Sequence, residues 1–318
     1  MIYAPVIIPT LCRYEHFKAC LESLSLCNGA EYTDVFIGLD YPAKDSHWDG
    51  YNKIKKYLNE TKFPFKSLNI IERDRNYGLG PNGNYRSLLK DVLKKYDRYI
   101  FSEDDNVFSP NFLEFINKGL EKFENDKSVF AINGYRHDYP IKSDENTFFR
   151  QNVNYSAWGE GLWRDRLLDL PPLDYFKKRF TLKEFFKVKK EIGANRAFDY
   201  WQFFFHPQTT WHDSSWAVFA YLENMDVIMP SKQSLVRNMG WDSSGVHCAA
   251  SQKLNSKFQN QKISSEKEFD YVGTGMEYYL ENRNVMKTYS YAKVSELVFW
   301  RRFLKNIVKY TIGKFLKT

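Results

Sequence analysis

Cysteine is scarce in this 318-residue chain: Cys12, Cys20, Cys27 and Cys248 are the whole complement, and no two form a C-x-x-C pair. That excludes a disulfide scaffold, argues against a structural zinc site and makes a reducing compartment the simpler expectation. No run of about 20 apolar residues occurs, so no segment has the length of a membrane span. Residues 1–9 lack a basic region and carry only a short apolar run, so a secretory signal is not expected. A cytoplasmic protein is the resulting expectation. Low-complexity tracts, internal repeats and Pro/Ser linkers are also missing, which leaves no seam between independent domains. Charge of one sign is in small excess only, 46 basic residues against 39 acidic, net +7. A dedicated nucleic-acid binder carries a denser basic stripe, so no nucleic-acid partner is expected. Anionic small molecules and membrane surfaces remain compatible with the charge.

Aromatic residues, in contrast, are abundant: 8 Trp, 22 Tyr and 26 Phe, 18% of the chain. They favour large cores and ring-lined pockets. Hydrophobic residues at 43% and charged residues at 27% complete the profile of a globular protein long enough to bury a sizeable core.

The first hundred residues alternate between two periodicities. Residues 3–8 form an apolar run stopped by Pro9, which predicts a buried strand. Phe17, Leu21 and Leu24 recur at helical spacing within 16–26. Strands are expected at 33–40, 68–72 and 98–102, and helices at 48–58 and 84–95. This β-α-β-α order predicts a parallel sheet with helices on both faces, in which ligands gather at the carboxyl ends of the strands. Asp40 and the triplet Glu103-Asp104-Asp105 both fall at such ends. After residue 106 the pattern loosens. Helices are expected at 111–123 and 216–224, one or two basic aromatic helices within 174–196, and strands at 129–133 and 227–229.

The triplet is the strongest chemical signal. Three adjacent carboxylates repel one another, and a divalent cation bound to nucleotide phosphates is one reason to collect them; a solvated acidic turn is the other. The glycine-rich turn at 76–84 follows Arg73 and Arg75 and suits close backbone approach to a phosphate or sugar, or is an ordinary loop. It lacks the spacing and the Lys-Ser/Thr pair of a phosphate-binding P-loop. Thr10 and Arg13 follow the first strand, where a cation can meet a diphosphate or a base edge, or simply start a helix. Asp213, ahead of an apolar helix, is an N-cap or a general base, with His212 as a rival base. His247 is the best-placed histidine for a metal or a phosphate, although a lone histidine is often structural.

Taken in order, these segments resemble the GT-A-fold glycosyltransferases that use nucleotide-diphosphate sugars. The likeness is to bacterial polysaccharide and lipopolysaccharide transferases and, more distantly, to N-acetylglucosaminyltransferase I. Ala4-Pro-Val-Ile-Ile-Pro-Thr-Leu-Cys-Arg resembles their first strand and its exit, and Ile37-Gly-Leu-Asp40 the end of the second. Arg75-Asn-Tyr-Gly-Leu-Gly-Pro-Asn82 is similar to their Asn-x-Gly-Leu loop. Arg98-Tyr-Ile-Phe-Ser-Glu-Asp-Asp-Asn-Val-Phe-Ser-Pro-Asn-Phe carries the acidic metal motif in its Glu-Asp-Asp form. Ser156-Ala-Trp-Gly-Glu-Gly-Leu-Trp resembles a Trp-Gly-x-x-x-Trp segment, and Trp211-His-Asp-Ser-Ser-Trp the segment of the catalytic acid. Pro81 and Gly83, and Glu160 within a small-residue run, depart from the pattern.

The resemblance implies a mixed, mainly parallel Rossmann-like sheet with an irregular acceptor-side half. It implies one catalytic domain over 1–295, nucleotide-binding over 1–105 and acceptor-side over 106–295. A UDP-sugar donor is expected, with Arg13, Thr10 and Asp40 near the nucleoside and Asn76, Gly78, Leu79 and Asn82 along the phosphate and sugar. Asp105 and His247 would hold Mn²⁺ or Mg²⁺, with Glu103 and Asp104 beside them. Asp213 would deprotonate a hydroxyl of a glycan or lipid-linked acceptor in a single inverting displacement. Two alternatives stay open. A nucleotidyltransferase would need a glycine-rich loop after strand one, and Pro9-Thr-Leu-Cys-Arg13 has no glycine. A non-catalytic carbohydrate binder would leave the triplet unexplained.

Residues 296–318 stand apart. Trp300, Phe303, Leu304, Ile307, Val308, Ile312 and Phe315 recur at helical spacing among six basic residues, and no acid follows Glu296. The expectation is a basic amphipathic helix lying on an anionic membrane surface, at the inner face of the cell membrane, or packed on the body with its lysines in water.

Overall fold

The computed structural model describes residues 2–80, 82–138, 140–141, 143–168, 174–205, 213–242, 258, 260–267, 270–289 and 295–315. For 167–168, 287–289 and 309–315 it describes the backbone alone. The strands are β1 (Val6–Thr10), β2 (Asp34–Leu39), β3 (Ser67–Glu72), β4 (Arg98–Phe101), β5 (Asn106–Phe108), β6 (Val129–Asn133), β7 (Phe148–Gln151), β8 (Glu160–Trp163), β9 (Asp226–Pro230) and β10 (Val236–Asn238). Eight of them form one mixed sheet in the order β3-β2-β1-β4-β8-β6-β9-β7, and β5 pairs with β10 in a small second sheet. The β3-β2-β1-β4 end is parallel throughout, and β8 then joins β4 antiparallel.

Helices cover both faces, because alternate residues of the buried strands are apolar on both sides. Val6, Ile8 and Ile100 meet α1 (Tyr14–Ser25), α2 (Trp48–Glu60) and α4 (Phe112–Lys122). Ile7, Tyr99 and Phe101 meet α3 (Asn84–Val92), α7 (Leu182–Ile192), α8 (Ala194–Phe205) and α9 (Asp213–Leu222). The shorter α5 (Arg164–Leu168) and α6 (Tyr175–Arg179) connect these layers, and α10 (Met276–Tyr289) and α11 (Glu296–Phe315) complete the described helices.

β1, the basic aromatic stretch and α11 differ from the sequence expectation in ways that bear on the site and the surface. β1 runs through Pro9 to Thr10. Ser102 N–H donates to the Ile7 carbonyl and Asp40 N–H to that of Thr10, so odd-numbered residues of β1 face β4 and even-numbered ones face β2. Pro9 therefore lacks its N–H on the side where β4 has already ended, and no ladder bond is lost. The basic aromatic stretch forms three helices, because Phe180 and Gly193 break it. The apolar positions of α11 divide between two faces. Phe299 and Phe303 turn into the core against Phe185, Phe198 and Trp201, with ring centroids 5.1–6.0 Å apart. Leu297, Trp300, Leu304 and Val308 point outward.

Candidate functional site

From β1 the chain builds outward in opposite directions, to β2 and β3 on one side and to β4 on the other. Such a reversal opens a crevice at the carboxyl ends of the two central strands. Thr10 ends β1 and the acidic triplet leaves β4, so both rims of that crevice carry polar groups. They meet across it: Thr10 Oγ1 donates to Asp104 Oδ2 at 2.8 Å. Arg13 pairs with Asp104 and, through Nη1, with Asp105 Oδ2 at 2.7 Å. The turn carrying Arg13 is pressed close to α2, where a Cβ on Gly50 would lie 1.8 Å from the Cys12 carbonyl oxygen.

The small sheet closes the site from the far end of the sequence. β10 pairs antiparallel with β5 and sets Asn238 opposite Asn106. Asn238 Nδ2 then donates to Asp105 Oδ1 at 2.6 Å, and Met239 N–H to the Asp105 carbonyl at 2.8 Å. Gly240 lies over the pair, and a Cβ there would be 2.0 Å from Asp105 Oδ2 and 2.8 Å from Arg13 Nη1.

Burial pushes the Glu103 carboxyl well above its ordinary range, and the charges of Asp105, Asp213 and Asp104 push the same way against Arg13. Asp104 is raised by burial, partly countered by Arg13 and Thr10. Burial alone would lower the Arg13 guanidinium, but Asp104 and Asp105 carry it above its usual value. The cluster thus holds more negative charge than its one guanidinium meets. Among the described residues, no group of three His, Cys, Asp or Glu side chains is arranged to hold a metal by itself. The donor set nevertheless fits Mg²⁺ or Mn²⁺: two hard carboxylates already converge on a cation, and Mg²⁺ is typically held by one or two carboxylates plus substrate phosphates.

A second carboxylate centre lies alongside. β8 runs antiparallel to β4 and places Glu160 opposite Phe101, two residues before Glu103. Tyr155 donates its hydroxyl to Glu160 Oε2. Burial, with a contribution from the Asp213 charge, pushes the Glu160 carboxyl up to about 8, against the Tyr155 hydrogen bond and the charge of Arg86. Asp213 opens α9, and its Oδ2 accepts the Ala157 N–H at 3.2 Å. Burial raises its carboxyl too, while that hydrogen bond and the charge of Arg196 oppose the rise. Glu103 and Glu160 both feel Asp213, which links the two centres.

Asp40 is spent on the neighbouring loop. Its carboxylate accepts the N–H groups of Tyr41 at 2.9 Å and of Tyr77 and Gly78 at 2.8 Å, with Asn76 Nδ2 at 3.4 Å. Leu79 is 85% exposed, and Asn82 is exposed beside it. Arg73 is buried, donating to Asn84 Oδ1 at 3.0 Å, so it ties α3 to β3 instead of facing a ligand. Pro81, His212 and His247 lie outside the described residues. Sequence reasoning passed over Glu160, Asn238 and Gly240 as site residues. A lone acid in a run of small and aromatic residues was the available signal for Glu160; Asn238 and Gly240 lie in a polar, glycine-containing stretch, Arg237–Asp242, but their role depends on a strand pairing across more than 130 residues.

No family model and no curated protein matches the chain. Among solved structures it is similar to S. aureus TarS (13% identity, TM-score 0.40, 74% of this chain and 36% of that one). The chain therefore spans about a third of that protein's length. A 1–349 fragment of S. aureus TarS in complex with UDP-GlcNAc gives 13% identity and a TM-score of 0.43 over 83% of this chain and 68% of that one. The mannosyltransferase PcManGT from Pyrobaculum calidifontis in complex with GDP-Man and Mn²⁺ gives 14% and 0.37 over 54% and 47%.

Proposed function

We propose that this chain is a nucleotide-sugar-dependent glycosyltransferase of the GT-A type, moving a sugar from a UDP-sugar to a hydroxyl of a glycan or lipid-linked acceptor. The supporting observation is the crevice where Thr10, Arg13 and the triplet converge, with Asp213 in electrostatic reach. Arg13 and Thr10 lie on the nucleoside and phosphate side. Asp40 acts through the loop it holds, presenting Asn76, Gly78, Leu79 and Asn82 to the diphosphate and sugar. Glu103 and Asp104 flank the ribose or sugar. Asp105, with His247, would hold Mn²⁺ or Mg²⁺, which supplies positive charge to the departing diphosphate when bound.

In the transfer, the acceptor oxygen bonds to the anomeric carbon as the bond from that carbon to the phosphate oxygen breaks. The hydroxyl proton goes to Asp213, and the nucleoside diphosphate leaves with the electron pair. Burial raises the Glu160 carboxyl to about 8, which makes it a poor nucleophile and favours one inverting displacement over a covalent intermediate. A place in cell-surface polysaccharide or lipopolysaccharide synthesis is the corresponding biological reading. A nucleotidyltransferase is disfavoured by the glycine-free turn after β1.

The test is calorimetric titration of UDP with Mn²⁺ and with EDTA, for the wild type and Asp105→Ala. Metal-dependent binding lost in the variant is expected; no binding of UDP, GDP, dTDP or CMP in any condition sinks the proposal. Asp213→Asn should bind UDP normally and transfer nothing, and normal turnover would remove it as the base.

The outward stripe of α11 supports an anionic membrane surface as a further partner. Leu297 (82% exposed), Trp300 (44%), Leu304 (59%) and Val308 (54%) recur at i, i+3, i+7 and i+11. Exposed Arg301 and Lys305 border them, and the only acid of the helix, Glu296, is paired with Lys189 at 2.8 Å. Like charge along the stripe opposes self-pairing and suits an anionic leaflet. Among the described residues no helix is long and apolar enough to cross a membrane.

A further inference from the structure

Five aromatic rings gather where the two carboxylate centres approach each other. Trp241 follows Gly240, the residue lying on Asp105 and Arg13. Trp158 follows Ala157, whose N–H is held by Asp213. Starting one residue from each centre, the two indoles come together with centroids 6.1 Å apart and planes at 74°. Phe258 lies against both, 4.5 Å from Trp241 and 5.6 Å from Trp158. Tyr135 packs on Trp158 at 4.7 Å, and His137 lies 6.4 Å from Phe258.

Packing does not account for all of these rings. Among the described residues, Trp241 and Phe258 belong to neither hydrophobic core, and with Trp158 and His137 they keep part of their surface exposed. Rings whose only task was core formation would sit inside one of the two large clusters. Here the cluster lies between the acid proposed for the donor diphosphate and the acid proposed for the acceptor proton. An aromatic face carries partial negative charge, and the C–H groups on one face of a pyranose ring carry partial positive charge, so the two stack. An aliphatic or acyclic alcohol offers no such flat face.

We propose that Trp158, Trp241 and Phe258 form a stacking platform for a pyranose ring of the acceptor, making the acceptor a saccharide rather than a simple lipid or peptide hydroxyl. This rests on the transferase reading for its location between the two centres, but the binding it describes is measurable without turnover.

The experiment is saturation-transfer NMR with a mixture of methyl β-glucoside, β-galactoside, α-mannoside and β-N-acetylglucosaminide, with mannitol as the acyclic control. Expected is transfer to the ring C–H protons of at least one glycoside and none to mannitol. Trp241→Leu, which keeps apolar bulk but has no ring, should weaken glycoside binding about tenfold, and Trp241→Phe should restore most of it. UDP binding by calorimetry should be the same in both variants. No transfer to any glycoside, or equal transfer in wild type and Trp241→Leu, overturns the platform. Glycoside binding that obeys the variants in a protein that binds no nucleotide keeps the platform and sinks the donor reading instead.

Discussion

Replacing Glu160 by Gln should change how the fold responds to pH. The Glu160 carboxyl is raised from its ordinary 4.5 to about 8, chiefly by burial. A carboxyl with a raised value binds its proton more tightly when folded, so the stability it contributes is complete below about 4.5 and is lost as pH rises through about 8. At about 1.4 kcal/mol per pH unit, the whole interval is worth about 5 kcal/mol, and the stretch from about pH 5 to pH 7 about 3 kcal/mol. Glutamine keeps the shape and an oxygen that can accept the Tyr155 hydroxyl, and it removes the titration. Glu103, Asp104 and Asp213 are raised as well and tilt the curve the same way, but they are present in both proteins. Urea unfolding of both proteins at a series of pH values measures the effect. The stability of Glu160→Gln relative to wild type should rise by about 3 kcal/mol between pH 5 and pH 7, with unchanged m-values. Parallel curves across that range would refute the argument and show that Glu160 is already ionised in the folded protein.

Three other outcomes follow from the same geometry. Arg13→Ala leaves two buried carboxylates without their cation and should cost about 3–5 kcal/mol near neutral pH, and less at pH 5, where Asp104, raised by burial, is more readily protonated; chemical unfolding at both pH values checks this. Gly240→Ala puts a methyl group 2.0 Å from Asp105 Oδ2, so Asp105 must leave Arg13. Overpacking of this kind costs about 1–3 kcal/mol, and the expected readout is UDP–Mn²⁺ binding weakened about tenfold or more in calorimetry. Leu297→Ser with Leu304→Ser should leave the unfolding midpoint within a few degrees of wild type, because both side chains are exposed, yet abolish co-sedimentation with vesicles containing phosphatidylserine. Unchanged sedimentation would show that this stripe meets no membrane.

The parallel half of the sheet, and the strand ends where its chemistry lies, could be read from the residues alone. Period-two and helical patterns are local, and so the strands at Val6–Thr10, Asp34–Leu39, Ser67–Glu72 and Arg98–Phe101 and the helices between them were legible within a few residues. The acidic triplet was legible for the same reason, since three adjacent carboxylates at a strand end announce themselves without any partner. Tertiary structure decided what those carboxylates touch. Asp40 could be placed at a strand end but not seen to spend its oxygens on the backbone of Tyr77 and Gly78. Asn106–Phe108, Glu160–Trp163 and Val236–Asn238 are short, carry no apolar run of their own and exist through their pairing. Those pairings bring Asn238 to Asp105 and Glu160 beside β4, where the charge of Asp213, far from both in sequence, raises Glu160 and Glu103 alike. The outward stripe of the last described helix is of the same kind. Sequence showed that it is apolar and basic, but only packing against Phe185, Phe198 and Trp201 decided which apolar residues are buried and which remain at the surface.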